Sequence, residues 1–517
     1  MAWGITATIS YKLVNVVGQV VLAWLLQPED FGLINLALSI TMFGTMMQGN
    51  SVREVLVQRQ HQFKRWANPA FWMSLTMGLV TMLILTAMAP IAAWVYGDKR
   101  VIGLILVVAA SIPITSLSLI PRVKLEKSLN FKTWSLISVA EFMGNVVLSI
   151  VLALLKFGPY SYVLPLLLVP IVKLVVIMPL THTKLPHLRL DLHRWRHLFK
   201  DNGLSLLALF LLTVILQGDN VILGMLQPAV VVGIYAFAFS HSMQTIAFLS
   251  NSLGLVLFPT LTKLQGDRPR QLSAFLRATD TIAMLSVPIC FVQAVVIDSL
   301  IRIFFQPKWY GAITLAQILS VGMAVRTITW PASSLLQAQG RWLQRVLILA
   351  GTAPIFLGAV ALGAWQYGGP GAAFAEAAFF LLVDPIWIVV AVRGSGGTLR
   401  DVARLILRPL LLGLGVSLLG LAAGYFLPDL LITALRHSFS PKLIADLSAR
   451  LPRLCNRDAA RLACVLVVAG AAHLVGLRMI GGETWAHVIA LIQRARGLLL
   501  PTRVAADPGV YRENLSG

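Results

Sequence analysis

The chain is poor in charge. Only 12% of its 517 residues are Asp, Glu, Lys or Arg, while 57% are hydrophobic and the mean hydropathy is +0.80. Soluble domains carry roughly 25% charged residues, so this chain has too little polar surface to clothe a water-soluble globule. Acids are the scarcer sign: 21 Asp and Glu stand against 42 Lys and Arg. Cysteine is nearly missing. Cys290, Cys455 and Cys464 form no CxxC pair, which excludes a disulfide framework. There is no Walker sequence, GxSxG elbow or HExxH pair, and the loops are too short to build an aqueous active site. Catalysis, metal and cofactor are therefore not expected. No small-residue cleavage site follows the first apolar stretch, so it is expected to be a retained span and not a removed signal.

What is present is a succession of apolar runs near 20 residues, the length that crosses the hydrocarbon core as a helix. They lack the alternation over about ten residues that marks barrel strands. Spans are expected at 5–26, 33–57, 68–95, 101–121, 134–155, 161–180, 203–226, 231–260, 278–305, 312–338, 344–366, 371–392, 405–427 and 461–480. The expected fold class is an all-α polytopic membrane protein of about fourteen transmembrane helices. Pro113, Pro165, Pro170, Pro288 and Pro331 fall inside spans as bending points, which membrane helices tolerate when neighbours satisfy the freed backbone.

A net charge of +21 in a soluble protein would suggest nucleic acid. Here the cations sit in short loops, so no nucleic-acid partner is expected. Loops after the even-numbered spans are basic: "RQHQFKR", "RVKLEKSLNFK", "HTKLPHLRLDLHRWRHLFK", "KLQGDRPRQLSAFLR", "GRWLQR" and "RGSGGTLRDVARLILR". The alternate loops, such as "QPEDFG", "KFGPYS", "QPAVV" and "QYGGP", hold few cations. By the positive-inside rule the basic loops and both termini are expected to be cytoplasmic. The segment 428–460 runs against the pattern: it should lie outside, yet holds Arg436, Lys442, Arg450, Arg453 and Arg457.

The stretch "LAWLLQPEDFGLINLA" at 22–37 finds an echo in "ILGMLQPAVVVGIYAF" at 222–237. Aligning the two "LQP" turns sets span 1 on span 7 and span 2 on span 8. Two pseudo-symmetric six-helix lobes are expected to follow, 1–180 and 202–393. An even number of spans gives both the same orientation, with the symmetry axis along the membrane normal. A basic linker at 181–201 separates them. Its His193 and His197 lack the further ligands a metal site requires, and it reads as an amphipathic helix on anionic lipid. Two extra helices within 394–480, joined by the 428–460 loop, and a cytoplasmic tail at 481–517 complete the organisation.

"LAWLLQPEDFGLINLALSI" with "LVQRQ", then "NPAFWMSL", "RVKLEKSLNFKTWSLISVAEFMGNVVLSIVLALLKFGPYSYVL" and "DNVILGMLQPAVVVGIYAFAFSHSMQ" closing with "LFPTLTKLQGD", resemble the bacterial polysaccharide flippases. These are the Wzx-like polysaccharide transporters of the MOP exporter superfamily. The similarity covers roughly residues 5–340. The chain departs from the family at "PYSYVL", where a Trp and a small residue are common, and at the second turn, "QPAVVVG". The resemblance implies movement of an undecaprenyl-pyrophosphate-linked oligosaccharide to the periplasmic leaflet, for exopolysaccharide, O-antigen or capsule. Implied partners are that lipid-linked oligosaccharide, membrane lipids, a polysaccharide polymerase with its chain-length machinery, and H+ or Na+ as coupling ion.

A flippase needs a polar, electropositive hollow, because charge at membrane depth costs roughly 2.5–3.5 kcal/mol per group on insertion scales. In span 1, Thr8, Lys12, Asn15 and Gln19 share one helical face. They read as cavity lining or as a polar helix–helix seam with Lys12 snorkelling. Thr213, Gln217 and Asn220 form a stripe in span 7 beside Asp219, a candidate for ion exchange or a structural carboxylate. Arg326 stands deep in span 10, with Thr329, Ser333 and Gln337 on its face; its fork suits pyrophosphate, or it pairs with Asp219, Asp280 or Asp384. Arg53 and Lys173 are further candidates for an entering anion. Glu141, Asp219, Asp280 and Asp384 are candidates for ion coupling or gating. His241 is either titratable or a satisfied core histidine. Asp298 and Arg302, four apart, are expected to pair near the outer surface. Two other readings compete. A MATE-like cation-coupled antiporter would favour acids and aromatics over Lys12, Arg53 and Arg326. A membrane polymerase or acyltransferase would place its chemistry on a long external loop, which only 428–460 supplies.

Overall fold

The computed structural model describes residues 2–46, 63–127, 131–182, 195, 203–244, 257–438, 457–480 and 485, without the side chains of 2–13, 46, 63–65, 126, 131, 132, 203, 205 and 434–438. The described residues contain helices and no strand. In chain order the helices are α1 Ala2–Leu25, α2 Pro28–Met46, α3 Phe63–Tyr96, α4 Arg100–Leu117, α5 Leu119–Lys127, α6 Phe131–Leu154, α7 Tyr160–Leu180, α8 Gly203–Leu226 and α9 Ala229–Ser242. They continue as α10 Arg268–Phe304, α11 Ala312–Thr329, α12 Ala332–Ala338, α13 Trp342–Leu382, α14 Ile386–Arg393, α15 Leu399–Phe426, α16 Pro428–Ser438 and α17 Arg457–Ile480.

Ten helical stretches among the described residues are long and apolar enough to span a bilayer, and Val14–Leu25 and Ala229–Ser242 add shorter apolar helices. One of the ten, Trp342–Arg393, serves as two. Gly368 takes a φ of 61°, which turns α13 back on itself. A Cβ on Gly371 would lie 2.0 Å from the carbonyl oxygen of Gly363, so only glycine permits the return. The expected spans 344–366 and 371–392 are its two limbs. Pro331 breaks the expected span 312–338 into α11 and α12, because proline has no N–H to give and clashes with the preceding turn. α10 starts ten residues before the expected edge, where Asp267 caps it by accepting from the Arg270 amide at 3.0 Å. Likewise α15 opens on a capping box between Thr398 and Asp401.

Buried apolar residues from Leu22 to Val163 form one core, and those from Ala208 to Leu405, joined by Ala23 and Leu36, form the largest. The last two long helices, α15 and α17, pack on α10 through Met284, Leu412, Val416 and Ala469. Gly420 and Gly424 meet Val465 there, the small-residue contact that lets membrane helices approach closely. Large apolar side chains are left exposed at helical spacing, as in Leu407, Leu411, Leu414 and Leu418, and face the lipid.

Candidate functional site

Of the helical face expected on span 1, Asn15 and Gln19 line a cavity. Asn15 and Gln19 of α1, Asn35 of α2, Asn145 of α6 and His241 of α9 surround a space of about 290 Å³ drawn from both halves of the chain. Its polar groups are carboxamides, hydroxyls and an imidazole. Asn145 donates from Nδ2 to the Glu141 carbonyl at 2.9 Å, while its Oδ1 is buried with no partner among the described residues. His241 donates from Nδ1 to the Phe237 carbonyl at 2.8 Å and tilts over the Phe237 ring, which leaves Nε2 as an acceptor. Lys12 belongs to α1, but its side chain lies outside the described residues, as do Thr8's and the whole of Arg53. The linker histidines His193 and His197 lie outside them too.

Asp219 and Arg326 stand elsewhere, inside the second half. Asp219, on α8, is fully buried; it accepts from Asn220 Nδ2 at 3.2 Å and from the Tyr235 hydroxyl at 3.1 Å. The same hydroxyl contacts Oε2 of Glu376, a buried carboxylate on the returning limb of α13. A phenol has one proton and cannot donate to two carboxylates at once. One of the two acids must therefore carry a proton and donate back to the phenol oxygen, or the buried trio holds one bond short. Sequence reasoning missed Glu376, although a lone acid in the apolar run "AAFAEAAFF" breaks the same rule that singled out Asp384. Asp384 accepts from Thr329 Oγ1 at 3.3 Å.

Arg326 is 4% exposed and makes no ion pair within 4.0 Å among the described residues. Its guanidinium lies over Phe380 at 4.1 Å and Trp330 at 5.6 Å, a cation–π environment. It lines a separate pocket of about 250 Å³ built from residues 212–387. The cavity holding Asn15 and Gln19 is not that pocket.

Lys173 and Glu141 neutralise one another: Nζ donates to the two carboxylate oxygens at 3.0 and 2.8 Å, and also faces the Trp134 ring at 5.5 Å. Asp280, part-buried on α10, lines neither cavity. Asp298 and Arg302 pair as expected at 2.7 Å, and Arg461 of α17 joins them at 3.3 Å.

The "LQP" face is shut. Each turn leads into a helix whose glycine rests on the other: Gly32 of α2 against Ala229, and Gly233 of α9 against Pro28. Trp309 donates from Nε1 to the Ala23 carbonyl at 2.8 Å and stacks on Phe237 at 4.3 Å. Lys308 caps the end of α1 through the carbonyls of Leu26 at 2.7 Å and Trp24 at 3.2 Å. Burial pushes its ammonium below the ordinary lysine range. Beside it, Arg100 bridges Asp98 and Glu29, and the Arg100 hydrogen bond holds the Asp98 carboxyl below the ordinary aspartate range. A third, mostly apolar hollow of about 730 Å³ lies between α2, α3 and α8, bounded by Phe43, Met77, Leu85, Tyr96 and Phe210.

Two packed helical halves with a polar interior define a multi-pass, all-α membrane protein. The chain belongs to the polysaccharide biosynthesis protein family, whose pattern matches residues 21–314. Among its relatives is the succinoglycan biosynthesis transport protein ExoT of Rhizobium meliloti, 26% identical over 337 residues, 62% of this chain and 64% of that one. The lipopolysaccharide biosynthesis protein WzxC of Escherichia coli is 22% identical over 349 residues, covering 66% of this chain and 69% of its own. The fold is shared with solved membrane transporters. It superposes on the lipid II flippase MurJ in an inward closed conformation with a TM-score of 0.69 at 12% identity, covering 92% of this chain and 99% of that one. An inward-facing MATE multidrug transporter of the MOP superfamily gives 0.56 at 14% identity, with 75% and 94% covered.

Proposed function

We propose that the protein flips a lipid-linked oligosaccharide, built on a polyprenyl pyrophosphate, across the bacterial inner membrane for exopolysaccharide, O-antigen or capsule assembly. The observation that carries this reading is the carboxamide-lined cavity between the halves, closed at the "LQP" face by two glycines. Carboxamides both donate to and accept from sugar hydroxyls, and aromatic faces such as Phe31 and Tyr162 suit the apolar faces of sugar rings. Asn15, Gln19 and Asn145 would hold the sugars, while Lys12 and Arg53 meet the entering pyrophosphate from the basic-loop side. The polyprenyl tail stays in lipid against the apolar hollow of α2, α3 and α8.

Residues 1–180 and 202–393 act as lobes that rock about the cavity, with the basic loops and both termini in the cytoplasm. The Asp219–Tyr235–Glu376 trio serves as the coupling station, taking up and releasing a proton as the lobes move. Substrate would arrive from membrane glycosyltransfer and leave to a polymerase with its chain-length machinery.

The test is flipping of a fluorescent lipid-linked oligosaccharide in proteoliposomes, read by accessibility to an external quencher. Wild type should exchange leaflets, and Asn145→Leu should slow exchange at least tenfold at equal insertion. Equal rates in protein-free vesicles would end the proposal. A second reading, a cation-coupled small-molecule antiporter, is favoured by the buried carboxyl trio; it predicts dye efflux and an unchanged polymer.

A further inference from the structure

Pro331 interrupts the helix that carries Arg326, and α13 starts directly after the tight turn at Gly340. The break and the turn bring Arg326, Ser333, Ser334 and Gln337 together with Arg345, near the basic "GRWLQR" loop. Two guanidinium groups thus line one pocket of about 250 Å³.

Arg345 is 9% exposed. Gln337, with its carbonyl oxygen turned toward Arg345, accepts from Nη1 at 2.7 Å and Nη2 at 3.3 Å. The Nε of Arg345 is buried without a partner, and so is the Nε of Arg326. Asp384 lines the same space, yet neither arginine has a carboxylate within 4.0 Å among the described residues. Arg326 has Asp219, Glu376 and Asp384 close enough to feel its charge, though none in contact, and Arg345 has no acid acting on it. A buried charge without a contacting counter-ion is costly, and a planar fork with free N–H groups is the side chain that grips phosphoryl oxygens in pairs.

We propose that this pocket binds a phosphoryl-class oxyanion, phosphate or pyrophosphate, between Arg326 and Arg345. The lining charge, two guanidinium groups against one carboxylate, is net positive. The space of about 250 Å³ is roomy enough to admit a phosphate or pyrophosphate. Ser333 and Ser334 supply hydroxyl donors for the remaining oxygens. The site lies within the second half, apart from the cavity between the halves, and the inference stands on this pocket and not on flipping.

Isothermal titration of the purified full chain in phosphate-free detergent with inorganic pyrophosphate, and separately with inorganic phosphate, tests it. Saturable one-to-one binding is expected, weakened at least tenfold by Arg345→Gln and several-fold by Arg345→Lys, which keeps the charge and loses the fork. Should Arg345→Gln not fold, Arg345→Lys and Ser334→Ala decide. In nanodiscs, competition by a polyprenyl pyrophosphate identifies the occupant as a lipid head group; binding of the inorganic anion without competition identifies it as a free anion. No binding to wild type, or undiminished binding to the folded Arg345 variants, overturns the proposal.

Discussion

Gly32 and Gly233 bring two helices into backbone contact. A Cβ on Gly32 would fall 1.8 Å from the carbonyl oxygen of Ala229, and one on Gly233 would fall 1.8 Å from that of Pro28. Each glycine follows an "LQP" turn, so the two echoing segments close on one another. Replacing either glycine by Val should lower stability by at least the ~1–3 kcal/mol typical of overpacking, because backbone cannot rotate aside. A melting temperature in detergent equal to wild type for Gly233→Val would show that the crossing is not tight.

The trio of Asp219, Tyr235 and Glu376 holds one phenolic proton between two carboxyls. Tyr235→Phe removes the only bridge and leaves buried polar groups unsatisfied, at about 1–3 kcal/mol per group. Glu376→Gln replaces a titrating group by a permanent donor. The expected outcome is that Glu376→Gln inserts stably but transports at a rate that no longer responds to an imposed pH gradient. A gradient response equal to wild type would remove the trio from coupling.

Lys173 and Glu141 form a mostly buried pair, with side chains 15% and 26% exposed. Lys173→Met alone should cost about 1–3 kcal/mol, less than a fully buried pair because both side chains are part-exposed. The double variant Lys173→Met/Glu141→Gln should recover most of that in thermal unfolding. Transport by the double variant then separates the roles: recovery means a structural pair, and persistent loss of export means that Lys173 touches the substrate.

Asp98 gives a pH dependence of known sign. Its carboxyl is held below the ordinary value of about 3.9 by the Arg100 hydrogen bond. The stabilisation is therefore complete above that value and lost as pH falls through the lower, folded-state value. Wild type and Asp98→Asn should differ in melting temperature by a constant amount from pH 5 to 8 and converge as the pH falls below the ordinary aspartate value. A difference that grows with alkalinity would contradict the assignment.

Much of this was legible in the residues. The apolar runs, the loop polarity and the "LQP" echo led to helices most of whose described edges fall within a few residues of expectation; α10, which starts ten residues early, is an exception, and the expected ends of 33–57 and 231–260 lie outside the described residues. The echo reaches further: Gln19 and Asn35 line one cavity, while Asp219 and Tyr235, their counterparts at the same offset, hydrogen-bond inside the other half. Asn15 and Gln19 were readable because a polar stripe at helical spacing must face something other than lipid. Arg345 was not, since a cation beside a basic loop reads as a surface charge until the packing that buries it is known. Nor was the separation of Arg326 from the cavity between the halves, which depends on the break at Pro331.

The sequence alone determined the solvent, the helical class and the family, because these follow from hydropathy, length and local motifs along one stretch of chain. Only the tertiary structure decided which polar groups share a space. It paired Lys173 with Glu141, set Tyr235 between two acids and buried Arg326 and Arg345 with no carboxylate in contact among the described residues, since helix crossing and side-chain burial depend on residues far apart in the chain.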